Sequence, residues 1–184
     1  MSQGNSLIVT YTGRIIDPIN PHPDDIAIED IAHALANSCR WTGHVRKFYS
    51  VAEHSVRVAT HLPQKLHLDG LLHDASEAYL SDLSRPIKQH SGLGYIYLEV
   101  EARLMQVISD KFLLDWPMHP LVKDADNQLL WAEVRDLMPP MKDDRLLQWS
   151  TETTYKQIIE PWDPVRAEAM FLGFFSGTTE GPLP

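Results

Sequence analysis

The stretch Pro120-Leu121-Val122-Lys123-Asp124-Ala125-Asp126-Asn127-Gln128-Leu129-Leu130-Trp131-Ala132-Glu133-Val134-Arg135-Asp136-Leu137 decides how this chain folds. Its opening proline suits the first turn of a helix, and Val122, Ala125, Leu129, Leu130 and Val134 recur at helical steps. Asp126 falls on the same apolar face. An ionised aspartate buried alone costs several kcal/mol, so this one needs a strong cationic partner or a metal ion.

Helical periodicity continues on both sides of that stretch. Ile28, Ile31, Ala32 and Leu35 predict a first helix ending near Asn37-Ser38-Cys39. Val51, Ser55, Val58 and Leu62 predict a second, stopped by Pro63, with His54 beside its stripe. A third is expected from about Gln64 to Leu80, with Leu66, Leu71, Leu72 and Ala75 apolar. It contains His73-Asp74, and Glu77 follows His73 by four residues, on one side of a continuous helix. A fourth covers about Leu93 to Phe112, with Leu93, Tyr97, Val100, Leu104, Val107 and Ile108 on one face. The last opens on Asp163-Pro164 and is expected to bury Met170, Phe171 and Phe174. Ahead of these, Leu7 to Tyr11, the turn Thr12-Gly13 and Arg14 to Ile16 predict a small hairpin. Pro18, Pro21 and Pro23 make Asp17 to Asp25 an extended loop. The fold class is therefore mostly α, a helical bundle with a small N-terminal β-hairpin.

With 184 residues and 43% hydrophobic content, the chain reads as one domain over residues 1–176 with a tail at 177–184. Sixteen Lys and Arg against 25 Asp and Glu give a formal charge of −9, which repels polymeric nucleic acid and anionic membrane surfaces. The single cysteine, Cys39, forms no internal disulfide and is expected to be a small buried residue. The N-terminal residues lack a charged and then apolar leader pattern, and no apolar run reaches the ~18 residues of a membrane span. A cytoplasmic location is expected.

His54, His73, Asp74 and Asp126 thus come from three helices toward one buried side. Taken singly, each has a plainer reading: a hydrogen-bonded core histidine, or an aspartate that caps or pairs. Together they suit a mixed nitrogen and oxygen site for Mn, Fe, Co, Ni or Zn. His22, His33, His44, His61, His67, His90 and His119 complete no second ligand set, so one ion is expected.

The order of these residues resembles that of the HD-domain metal-dependent phosphohydrolases. Phe48 to Ser55, His73 to Ala78, Ser81 to Lys88 and Val122 to Asp126 look like the corresponding segments of bacterial HD 5′-deoxynucleotidases and their phage and prophage relatives. Arg40-Trp41, fourteen residues before His54, fits as well. The resemblance implies that His54, His73, Asp74 and Asp126 hold one divalent metal ion. It implies that Glu77 orients or deprotonates the attacking water, with Asp82 lining the site in a catalytic or sugar-contacting role. Arg40 and Lys88 would hold phosphoryl oxygens and Trp41 would pack on deoxyribose. The segment between Trp41 and Phe48 would shape the base pocket, and nothing after about Leu137 contributes to the likeness.

The activity so implied is removal of the 5′-phosphate from deoxyribonucleoside monophosphates. A deoxynucleoside triphosphate triphosphohydrolase is the alternative within enzymes, using Arg40 and Lys88 with Arg46 or Arg85 as further cations. A non-catalytic nucleotide-binding module is a third reading, which Glu77 argues against because a structural metal site has no use for it. The partner expected is a small nucleotide, and a homo-oligomer is implied by resemblance, with Trp116, Trp131 and Trp149 as apolar surface.

Overall fold

The computed structural model describes residues 7–141 and 152–179. Strands β1 (Ile8–Val9) and β2 (Ile15–Ile16) pair antiparallel, with Ile8 opposite Ile16 and Val9 opposite Ile15. Asp30, in the first turn of helix α1 (Ile28–Asn37), fastens this hairpin to the helices. Its carboxylate accepts hydrogen bonds from Thr10 Oγ1 and Thr12 Oγ1 at 2.9 Å and from the Thr12 amide at 2.7 Å. The proline-rich loop that precedes α1 is not wholly extended. Pro23–Asp25 makes a 3-10 turn, with His22 Nδ1 accepting from the Asp24 amide.

Helix α2 (Val51–Thr60) is the centre of the molecule. Ser50 caps it by accepting from the Glu53 amide, and every residue from Val51 to Ala59 is buried. The sequence pattern places His54 at the edge of a stripe, whereas the whole helix is enclosed. On one side Val51, Ala52, Val56 and Ala59 pack with Ile31, Leu35, Leu71, Leu104, Ile108 and Phe171. On the other, Val58 joins Tyr49, Leu62, Val122, Leu129, Tyr155 and Ile159. A helix between two cores has no solvent to receive its polar side chains, so Glu53, His54 and Arg57 must each find a partner inside.

The long third helix expected over 64–80 is broken. Gln64–Leu66 is a 3-10 turn, α3 spans His67–Leu72, residues 73–76 form tight turns, and α4 spans Glu77–Leu80. The cause is local. Amides of Ala75, Glu77 and Tyr79 bond back three residues, to Leu72, Asp74 and Ser76, so the chain winds more tightly than an α-helix.

Helix α5 (Arg85–His90) falls between the third and fourth helices the pattern predicts, and it packs on the start of α6 (Gly92–Phe112). A Cβ at Gly94 would collide with the Ile87 and Lys88 carbonyl oxygens, so glycine is what allows this approach. The first half of α6 does not face the core: Leu93, Tyr95, Ile96 and Leu98 are exposed, and burial starts in earnest at Leu104. Helix α7 spans Pro120–Leu137, the range its pattern predicts.

Helix α8 (Pro164–Thr179) packs on α1, α2 and α3 through Ala167 and Phe171. The four-residue step between those two sets the buried line, which leaves Phe174 half-buried and Met170 exposed, contrary to expectation. The helix also runs through Thr179, three residues into the expected tail, and residues 180–184 lie outside the described residues. Trp116 packs against the first core and Trp131 is half-buried, while Trp149 lies outside the described residues. Cys39 is half-buried rather than enclosed. Among the described residues, no helix is long and apolar enough to cross a membrane.

Candidate metal and phosphate site

His54 projects from the middle of α2, and its Nδ1 donates to Glu133 Oε1 at 2.6 Å. A carboxylate only accepts, so Nδ1 carries a proton and Nε2 is the nitrogen turned toward the site. His73, at the C-terminal end of α3, repeats the device with its Nδ1 donating to the Gly70 carbonyl at 2.8 Å. Both Nε2 atoms are buried and have no hydrogen-bond partner. They point to the same carboxylates: Asp74 Oδ2 is 3.2 Å from His73 Nε2 and 3.9 Å from His54 Nε2. Ligand atoms of His54, His73 and Asp74 all lie within 4.8 Å of one another, a spacing that a single ion can bridge.

Asp126 comes in from α7, with Oδ1 3.3 Å from His54 Nε2, but stands just outside that compact trio. Its other oxygen is held by Lys123 at 2.6 Å and Arg85 at 3.3 Å. The buried aspartate of α7 therefore meets imidazole and cations at once. Burial alone would raise its pKa, but the neighbouring His54 and His73 rings and the Lys123 ammonium hold it well below the usual range. Asp74 behaves likewise, its burial outweighed by His73 and His54. In the metal-free protein His73 is pushed up to about 9: burial opposes the charge, but Asp74 and Asp126 prevail.

Two buried ring nitrogens without hydrogen-bond partners, facing two carboxylates, are a donor set that fits a divalent cation of borderline hardness, which takes the place of the ring proton when it binds. Orphaned buried nitrogens are otherwise costly to keep.

Glu77 opens α4 next to this set, buried, with Oε1 3.2 Å from Lys88 Nζ and Oε2 without a partner. Burial, then the nearby Asp74 and Asp82 carboxylates, push its carboxyl up to about 8 against the pull of Lys88 and Arg40. Lys88 also lies 2.9 Å from Glu101 and over the Tyr97 ring. Asp82 is half-buried in the segment between α4 and α5, near enough for its charge to act on Glu77.

Arg40 is buried and already committed, its Nε 3.2 Å from Glu133 Oε2 and its Nη1 3.5 Å from Asp74 Oδ2. Trp41 is half-buried beside it and donates its indole N–H to Glu133 at 2.9 Å. Arg46 turns away, donating to the Leu137 and Asp136 carbonyls at the end of α7.

Each residue expected in the site is thus found around one cluster, with Asp126 at its margin. Two participants escaped the sequence reading. Glu101 holds Lys88, and Glu133 joins His54, Arg40 and Trp41. Glu133 lies seven residues, two helical turns, after Asp126, so the helical period carried the signal.

No family model matches the chain. It is 42% identical over 134 residues to the uncharacterized protein YfdR of Escherichia coli strain K12, a match covering 72% of each. It is 38% identical over 128 residues to the uncharacterized protein RCAP_rcc00048 of Rhodobacter capsulatus, covering 62% of the chain and 64% of that relative.

Proposed function

The chain belongs to the family of the uncharacterized Escherichia coli protein YfdR, and we propose that it is a metal-dependent phosphohydrolase of the HD type acting on deoxyribonucleoside 5′-monophosphates. One observation carries the reading: the unpartnered, buried Nε2 atoms of His54 and His73 converge on Asp74 beside a buried glutamate whose Oε2 is also unpartnered.

His54, His73, Asp74 and Asp126 would hold a single divalent ion. Bound there, such an ion polarises a phosphoryl group and lowers the pKa of water. Glu77 is the base that takes the water proton, its proton affinity raised toward neutrality as such a role needs. The water oxygen forms a bond to phosphorus, the bond to the 5′ oxygen breaks, and that oxygen leaves with a proton as the deoxynucleoside. Lys88 and Arg40 set positive charge against the phosphoryl oxygens, and Trp41 offers a ring to the sugar. Asp82 lines the approach.

The count of cations favours a monophosphate over a triphosphate substrate. Arg40 and Lys88 are each shared with two carboxylates, Arg46 faces away, and Arg85 sits on Asp126, so among the described residues these four leave little free positive charge for a longer phosphate chain.

The test is product analysis with Mn²⁺ or Co²⁺, with and without chelator, on dAMP, AMP and dATP. Chelator-sensitive phosphate from dAMP and little from AMP is the expected result. Triphosphate released from dATP with dAMP inert would replace this reading with the triphosphohydrolase.

A further inference from the structure

Glu133 is fully buried in α7, yet it lies at neither end of the chemistry described above. Its two oxygens face different machinery. Oε1 accepts a hydrogen bond from the Nδ1–H of His54 at 2.6 Å, which fixes that imidazole with Nε2 turned toward Asp74. Oε2 accepts from the Trp41 indole at 2.9 Å and from Arg40 Nε at 3.2 Å.

The segment that carries Arg40 and Trp41 needs such an anchor. Trp41, Thr42 and Gly43 have φ of 58°, 51° and 80°, three successive left-handed residues of which only the last is glycine. For a β-branched threonine that conformation is an outlier, and it persists where surrounding contacts fix it. The backbone supplies an Arg40 amide bond to Tyr49 and a His44 amide bond to Trp41. From the rest of the described protein, the bonds to Glu133 and the Arg40 contact with Asp74 hold these side chains.

We propose that Glu133 is a positioning residue that joins the metal-binding imidazole of His54 to the Arg40 and Trp41 arm, so that ion and nucleotide are held by one connected unit. This rests on the reading of the site as a metal-dependent nucleotidase. A shared carboxylate of this kind makes binding reciprocal: whatever settles the arm steadies His54, and an ion on His54 steadies the arm. Glutamine cannot replace it. One of its two termini is an amide NH2, which would face either the His54 N–H or the Arg40 and Trp41 donors.

The experiment compares wild type with Glu133→Gln. Mn²⁺ affinity is measured by calorimetry without nucleotide and again with dAMP, and kcat and KM for dAMP are measured alongside. E133Q is expected to weaken Mn²⁺ binding by about 10- to 100-fold, to raise KM, and to abolish the gain in Mn²⁺ affinity that dAMP produces in wild type. A folded E133Q that binds Mn²⁺ as wild type does, with only its melting temperature lowered, overturns the assignment. If E133Q does not fold, Trp41→Phe removes only the indole donor and keeps the ring. It is expected to leave Mn²⁺ affinity alone unchanged and to reduce the dAMP-dependent gain, and a full gain in W41F overturns the coupling. Because Mn²⁺ affinity is read without substrate, a wild type that never hydrolyses dAMP sinks the nucleotidase reading while the effect of E133Q on the ion still decides the role of Glu133.

Discussion

Lys88 holds Glu77 from across a helix junction, its ammonium 3.2 Å from the one glutamate oxygen that has a partner. The pair sets the proton affinity of the proposed base. Burial and the Asp74 and Asp82 carboxylates raise it, and Lys88 lowers it. Removing the ammonium in Lys88→Met therefore moves Glu77 further up, so the acid limb of the kcat/KM profile shifts to higher pH. Glu77→Gln is expected to cost about 100- to 10,000-fold in kcat and to leave bound metal in place. An unmoved limb in K88M, or unchanged turnover in E77Q, refutes the role of the base.

The metal site should be loaded against a proton. His73 stands at about 9 in the metal-free protein, because Asp74 and Asp126 overcome the effect of burial. A metal-bound imidazole has lost that proton, so affinity should climb about tenfold per pH unit from 7 toward 9 and level off above. The same sign governs folding without metal. The folded pKa lies above the ordinary 6.5, so the stabilisation from protonated His73 is complete below pH 6.5 and is lost as pH rises through 9. Calorimetry in buffers of different ionisation enthalpy reads the released proton directly, and a pH-independent affinity contradicts the assignment.

Asp126→Asn separates ligand loss from unfolding. Besides the buried His54, its ion-pair partners are solvated, with side-chain exposures of 63% for Lys123 and 40% for Arg85, so both can turn to water. Metal content by elemental analysis and phosphatase activity should fall together while the melting temperature changes little. Full metal retention would remove Asp126 from the ligand set.

Gly94→Ala tests whether the α5 to α6 junction places Lys88. The added methyl has no room beside the Ile87 and Lys88 carbonyls, so α5 must shift and carry the ammonium with it. A fall in kcat/KM with metal affinity intact is expected from G94A. Wild-type kinetics would mean that the position of Lys88 does not matter.

Glu53→Gln tests the buried clamp on α2. Glu53 accepts from Arg57 at 2.7 and 2.9 Å and from the Trp162 amide at 2.7 Å, and Arg57 stacks over the Trp162 ring. Leaving Arg57 buried without its carboxylate should cost about 3–5 kcal/mol, read by urea denaturation. A loss within experimental scatter would show that the guanidinium finds water.

How much of this was readable from residues alone differs by element. Helix α7 was readable end to end because proline opens it and its apolar period is unbroken. The 64–80 region was not, since the tight turns at 73–76 arise from backbone bonding that an apolar period does not register. His54, His73, Asp74 and Asp126 stood out as polar residues on faces that should be dry. Glu133 obeys the same rule and was passed over, since a charged residue among Arg135 and Asp136 near a helix end reads as solvated. The left-handed Trp41 and Thr42 carried no local signal, because only contacts with α7 make that backbone worth its strain.

The bond from the Trp162 amide to Glu53 bears on how portable the His and Asp pattern is. Everything that reads as a motif lies between Arg40 and Asp126, yet the helix bearing His54 is braced by a peptide group more than a hundred residues downstream. Grafting the motif-bearing stretch alone onto another scaffold would transplant the ligands without their buttress. Grafting through Trp162 would carry Glu53's backbone donor along with it.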